Sequence, residues 1–292
     1  MSDDVITEPG VYTMPAEEYH ADPVPSGSLS RSGAVKLLEP STPARFHYER
    51  THGQPVRKTF ELGHAAHHMA LGDGVDIIEV AGDGASPDEW RTSSTKAEVA
   101  RVRARGAVPL KPREYAQVCE MRDALLGHPT ARRLLVEGEG TVEASLFWVD
   151  GPSGIWRRAR LDRLPKWSGQ GRLIVPDYKS AESANPEAFA RSAARYGYDV
   201  QAAWYSDGVL ELGLADDVAF VFVCQEKTPP YLVNVIELDA EALKIGRTRS
   251  REAIETYAEC VRTNRWPGYG DDITCVSLPI WLEAKYEDEM VI

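Results

Sequence analysis

Leu173-Ile-Val-Pro-Asp-Tyr-Lys179 is the stretch from which the rest of the chain is best read. Its opening Leu-Ile-Val run predicts a strand buried on both faces, and the strand ends in Asp177 and Lys179. Side chains alternate faces along a strand, so residues two apart share one face, roughly 7 Å from each other. An acid and an amine at the end of a buried strand are costly to desolvate without partners. A divalent cation and a charged substrate would offset that cost. Pro176 is the discordant residue, because proline cannot donate to a sheet ladder. A bulge or splayed strands beside a site would accommodate it.

Working outward, the apolar spacing changes from period 3.6 over residues 113–136 to strands at 142–149, 155–164 and 172–179. Helices are expected over 186–212, with a break at Gly197, and over 240–264. Strands are expected at 219–225 and 231–238. A short helix with a serine N-cap is expected after Ser28-Leu-Ser-Arg-Ser32, ending near Pro40, and a second helix over about 58–71, stopped by Gly72-Asp-Gly74. Residues 75–112 read as a short strand, a loop and a basic stretch. The pattern predicts an α/β fold with a mixed central sheet flanked by helices. The expected organisation is an acidic N-terminal segment (1–26), one domain (27–282) with a helical N-terminal subregion, and an acidic tail (283–292).

The 292 residues carry a net charge of −12, unevenly distributed. Residues 1–24 hold six acids and no Lys or Arg, and residues 269–292 hold six acids and one Lys, leaving −1 for the middle. Within the middle, residues 101–113 and 155–172 each carry +5. Local basic stretches rather than net charge govern phosphate binding, so nucleic acid is not excluded. The four cysteines (119, 224, 260, 275) lie far apart with no CxxC pair, which argues against an iron–sulfur cluster or structural zinc. No Gly-x-x-x-x-Gly-Lys-[Ser/Thr] occurs, so no bound nucleotide is expected. With no run of roughly 20 apolar residues and no signal-peptide pattern, a soluble cytoplasmic protein without membrane contact is expected.

Candidate site residues come from four segments. Asp162 lies in Arg158-Ala-Arg-Leu-Asp-Arg163, on the strand before Asp177, and a hairpin would set those strands side by side. Asp177-Tyr-Lys179 is the second. Gln201 and Tyr205 are spaced i, i+4 on one helix face. Gly63-His-Ala-Ala-His67 is the fourth, where His64 and His68 form an alternative i, i+4 pair. Taken singly, Asp162 would read as a surface ion pair with Arg160 or Arg163, and Lys179 as an edge-strand charge.

In this order the segments resemble the PDDEXK nuclease superfamily, and in particular its phage-type RecE-like branch, the nuclease domain of exonuclease VIII. Leu29-Ser-Arg-Ser32 with Pro43-Ala-Arg-Phe46, Glu143 in the strand before the first Asp, and Leu278-Pro-Ile-Trp281 extend the resemblance over roughly 27–282. It implies a metal-dependent exonuclease acting on ends of linear double-stranded DNA, 5′→3′, leaving 3′ single-stranded tails for homologous recombination. A single-strand annealing protein as partner and a homo-oligomer are implied with it, in a bacterial host cell. The implied cofactor is Mg²⁺, with Mn²⁺ as substitute, since hard oxygen ligands suit both. Asp162, Asp177, the Tyr178 carbonyl and His67 are the implied metal ligands. Lys179 would orient or deprotonate the attacking water. Gln201 and Tyr205 would hold Lys179, the scissile phosphate or a water, and Glu143 would fix a ligand from behind. Arg157, Arg158 and Arg160 are expected to line the DNA approach, and Arg31 with Ser30 and Ser32 to bind a 5′-phosphate. The same pattern occurs in helicase–nuclease subunits and CRISPR-adaptation nucleases, which usually carry the four-cysteine cluster missing here. A non-catalytic DNA-end-binding scaffold is the reading outside the enzyme class.

Overall fold

The computed structural model describes residues 5–53, 61–72 and 75–287. Its strands form a four-stranded sheet and a three-stranded sheet meeting at a fork, plus a small two-stranded ribbon. In the first sheet, β1 (Gly10–Tyr12) pairs antiparallel with β5 (Gly140–Val149), β5 with β6 (Trp156–Pro165), and β6 runs parallel to β2 (Ser28–Ser30). In the second, β7 (Leu173–Ala181) runs parallel to β8 (Val218–Glu226), which pairs antiparallel with β9 (Val233–Glu237). The mixed, helix-flanked α/β architecture expected from the sequence is present.

The expected β6–β7 hairpin pairing is not. One edge of β6 is shared: residues 156–158 pair with β2, which then leaves the sheet as α2 (Arg31–Leu37), followed by α3 (Pro43–His52). Further along β6, the Asp162 carboxylate accepts the Tyr178 N–H at 2.6 Å, a side-chain bridge where a ladder bond would stand. Pro176 explains this arrangement. Leu173 donates to Asp217 and Ala181 accepts from Lys227, so odd-numbered residues of β7 turn their backbone groups toward β8 and even-numbered ones toward β6. The missing donor of Pro176 therefore falls on the splayed side, where no ladder is lost.

Helices cover both faces. On one, α4 (Glu61–Leu71), α6 (Pro112–Gly127) and α7 (Pro129–Leu135) bury Ala65, Val118, Met121 and Leu135 against Tyr178 and Val223. On the other, α8 (Pro186–Tyr196), α9 (Tyr198–Glu211) and α10 (Ala240–Thr263) pack Val200, Trp204 and Ile254 on Trp148, Leu161, Val175 and Phe222. Gly197, at φ 66°, separates α8 from α9, as the sequence predicted. Residues 75–112 hold more than expected: β3 (Ile77–Glu79) and β4 (Val108–Leu110) form the ribbon, and α5 (Ser93–Ala104) is capped by Thr92. The low apolar content of α5 hid it, since only Thr95, Val99 and Val102 face inward.

The N-terminal segment is structured and joins the domain. β1 extends the sheet, α1 (Ala16–Ala21) follows, and Ile6, Met14, Tyr19 and Val24 cluster on Phe147. Asp22 then ties the segment down, accepting from Ser28, Arg50 and Arg158. At the other end, residues 264–279 have no regular structure, and α11 (Ile280–Glu287) covers the start of the expected acidic tail. The remainder of that tail lies outside the described residues.

Candidate active site

The fork between β6 and β7 is where both helical layers reach the same space. Asp177 and Lys179 share the α9 face of β7, while Tyr178 points to the α4 layer. A closed β6–β7 ladder would keep those layers apart. Opened, it admits His67 from α4 and Gln201 from α9 to one cleft of about 320 Å³, lined also by Arg31, Glu143, Asp162 and Tyr205.

Three of these side chains could hold a metal ion together. His67, Glu143 and Asp162 each offer an atom within 4.8 Å of the others. His67 Nε2 lies 3.2 Å from Asp162 and its Nδ1 3.8 Å from Glu143. Glu143 was expected behind the ligands, and its carboxylate stands beside His67 and Asp162. By register it faces Asp162, and the β5–β6 ladder is interrupted there, with Glu143 at φ 54°. Left-handed backbone costs a side-chain-bearing residue about 1–2 kcal/mol. Here it turns the carboxylate into the fork. Glu143→Gly is therefore expected to be more stable than Glu143→Ala. The margin should be about 0.5–1 kcal/mol once the extra freedom of glycine is subtracted. Urea unfolding of both variants checks this; the usual order, alanine above glycine, would show that the backbone is not strained.

Asp177 sits deeper, 2% exposed, and outside the three-residue set. Lys179 forms an ion pair with one of its oxygens, and Gln201 Nε2 donates to the other at 2.6 Å. Arg31 in turn donates to the Gln201 carbonyl oxygen. Tyr205 lines the cleft one turn beyond Gln201, its ring edge-on to Phe220 at 5.5 Å. The Tyr178 backbone faces the fork, as its N–H bond to Asp162 shows, and its carbonyl points to the same side. His68 lies outside the set, and the side chain of His64 lies outside the described residues.

Charge within the fork is finely compensated. Burial pushes the Asp177 carboxyl up to about 6, against the pull of Lys179. Burial also raises Glu143, with Asp162 adding repulsion. Asp162 is held low despite its burial, by His67, Lys179 and the Tyr178 N–H. Burial alone would lower His67, but Asp162, Glu143 and Asp177 drive it up to about 9. Burial lowers Lys179 too, yet Asp177 and Asp162 raise it overall. Three carboxylates thus share positive charge from one imidazolium, one ammonium and Arg160. A divalent cation such as Mg²⁺ or Mn²⁺ would take the place of the His67 proton, leaving a neutral imidazole and two hard carboxylates to hold it.

Arg157, Arg158 and Arg160, expected along the DNA approach, and Arg163 all have partners within the protein, and Arg160 also lines the cleft. Arg160 pairs with Glu143 and donates to Met14 O and Ser145 Oγ. Arg158 is buried and held by Ser28 and Asp22. Arg157 lies on the opposite face, between the rings of Trp148 and Trp204 at 4.8 and 4.0 Å. Arg163 donates to the carbonyls of Leu135, Glu137 and Gly138 at the end of α7. The basic stretch 155–172 is therefore largely an internal scaffold, which a count of charges could not reveal. Ser30 caps α2, accepting from Gly33 N, and its hydroxyl lies 3.2 Å from that of Ser32. Sequence reading missed the contact between Arg31 and Gln201, which are 170 residues apart and share no motif.

A forked mixed sheet with acids and a lysine at the fork, covered by helices on both faces, is the architecture of the PDDEXK class. The chain belongs to the PDDEXK-like domain family of unknown function DUF3799, which matches residues 55–279. No curated protein matches it. Among solved structures it is similar to a candidate exonuclease from Eubacterium rectale, with 12% identity over 94% of this chain and 99% of that one, at a TM-score of 0.61. A phage-related exonuclease from Haemophilus somnus 129PT has 13% identity over 82% of this chain and 96% of that one. Its TM-score of 0.31 carries no argument. The first likeness establishes the fold; the chemistry has to be argued from the site.

Proposed function

We propose that this protein is a Mg²⁺-dependent exodeoxyribonuclease of the RecE-like type. It would degrade the 5′ strand of linear duplex DNA and leave 3′ tails for a single-strand annealing partner. The observation that carries the reading is the convergence of His67, Glu143, Asp162, Asp177 and Lys179 in one cleft. Phosphodiester hydrolysis needs a deprotonated water and a neutralised leaving oxygen, and a bound divalent ion supplies both. His67, Glu143 and Asp162, with Asp177 and the Tyr178 carbonyl, would hold it. Lys179 would orient the attacking water, and its pairing with Asp177 favours its charged form. Gln201 and Tyr205 close the α9 side of the cleft. The resemblance to ring-forming exonucleases supports a homo-oligomer.

Incubating the purified protein with linear duplex DNA and Mg²⁺ tests the reading. Mononucleotide release is expected from the unmodified protein and its near-complete loss from Asp177→Ala. Labelling one 5′ or one 3′ end in the same assay reads the polarity. A protein that binds DNA ends but releases no nucleotide would be a scaffold, and the enzyme reading would fail.

A further inference from the structure

We infer that Arg31 is a positioning residue that sets the metal-binding Asp177 through Gln201; the inference rests on the function proposed above. Arg31 is the first residue of α2, where the chain leaves β2 and the sheet forks. Its guanidinium lies 5.9 Å from the centre of the Tyr198 ring and donates to Gln201 Oε1. Gln201 is 3% exposed, and its Nε2 donates to Asp177 Oδ1 at 2.6 Å. The other Asp177 oxygen is taken by Lys179.

The direction of this relay follows from donor and acceptor chemistry. A guanidinium only donates and an ionised carboxylate only accepts. One orientation of the amide between them satisfies both, with oxygen toward Arg31 and nitrogen toward Asp177. Without Arg31 the amide loses the donor that holds its oxygen, and only the Asp177 carboxylate at the other end still orders it. Each link is charge-assisted at one end and is stronger than a neutral hydrogen bond. Lys179 and the Gln201 amide together fix the plane of the carboxylate.

This role differs from that of a 5′-phosphate anchor. An anchor acts on the DNA end and leaves the metal alone. A positioning residue acts on the metal whichever end is offered. The test is to titrate Mn²⁺ calorimetrically into the full chain, unmodified and with Arg31→Met, Arg31→Lys, Gln201→Met and the Arg31→Met/Gln201→Met pair. The same proteins then hydrolyse linear duplex carrying 5′-phosphate or 5′-hydroxyl ends, and their circular dichroism is compared. Partners that orient metal ligands typically matter by about 10–100-fold in metal affinity. That loss is expected for Arg31→Met, with an equal drop in kcat on both kinds of end. Gln201→Met should add nothing to it beyond about twofold, and Arg31→Lys should recover part. Unchanged Mn²⁺ affinity with slowing confined to 5′-phosphate ends would overturn the relay in favour of an anchor, and multiplying losses in the paired variant would overturn it outright. Mn²⁺ binding without hydrolysis by the unmodified protein would defeat the proposed function and leave the relay to be judged on affinity. No Mn²⁺ binding at all would defeat both.

Discussion

Asp162→Asn is expected to lose Mg²⁺-dependent hydrolysis by about 10²–10³-fold or more while the fold keeps its stability. Charge stabilisation by a bound metal is worth several kcal/mol, and each 1.36 kcal/mol is tenfold in rate. Asp162 has a second task, because its Oδ2 accepts the Tyr178 N–H across the fork at 2.6 Å. Asparagine keeps a carbonyl oxygen for that bond, and the loss of the attraction to His67 and Lys179 is offset by relief of the repulsion of Glu143 and Asp177. Alanine removes both functions. Asp162→Ala should therefore be as inactive and in addition less stable by about 1–3 kcal/mol, the cost of orphaning a buried donor. Rates on linear duplex and urea unfolding of the two variants separate these roles. Equal stability would show that the bridge does not hold the fork, and an active asparagine variant would remove Asp162 from the metal site.

The second large effect is expected far from any motif. Gly246→Ala should destabilise the protein by about 2 kcal/mol or more. In an open helix the same change gains about 1 kcal/mol. Here α10 crosses α9 so closely that a Cβ at residue 246 would stand 2.1 Å from the carbonyl oxygen of Asp199 and 3.1 Å from the Ala203 Cβ. The first contact is backbone and cannot swing aside. Asp199 is itself held by Arg249 at 2.7 and 2.9 Å. Overpacking costs of 1–3 kcal/mol, sometimes more, then outweigh the helix propensity. At about 2–4 °C per kcal/mol for a domain of this size, Tm should fall by roughly 4–8 °C. Because Gln201 follows Asp199 on α9, the shift should also reach the site, where a misplacement of about 1 Å can cost 10²-fold in rate. Thermal unfolding and hydrolysis rates check both, and an unchanged Tm would mean that the helices separate freely. Gly63, which the family resemblance marks, has room for a Cβ, its nearest neighbour being Ser180 Oγ at 3.5 Å.

The elements that build the site were legible because each announces itself locally. The β5–β6–β7 meander shows in its period and turns, and the α8–α9 break shows in Gly197. Order along the chain then brought Asp162, Asp177, Lys179, Gln201 and His67 into one expectation, and the fold places all five in one cleft. Pro176 was legible as a disturbance, and in three dimensions its missing donor faces the fork, where no ladder bond is lost. The partners of the arginines were not legible, because charge is countable in sequence while its partners are not. Arg158 satisfies Asp22 and Ser28, Arg163 closes α7, and neither pairing has a fixed spacing. Glu143 could be placed in its strand but not beside His67 and Asp162, since alternation cannot foresee a residue at φ 54°.

The sequence by itself determined the secondary structure around the site, the set of chemistry-bearing residues and their order, because periodicity, turn residues and short-range spacing are local properties. Only the tertiary structure decided which residues touch. The opening of β6 from β7, the placing of Glu143 beside His67 and Asp162, the partners of Arg157, Arg158 and Arg160 within the protein and the path from Arg31 through Gln201 to Asp177 depend on contacts between distant segments. Burial and charge compensation are properties of that assembled space. A strand that ends in Asp-Tyr-Lys asks for partners, and packing alone selects them.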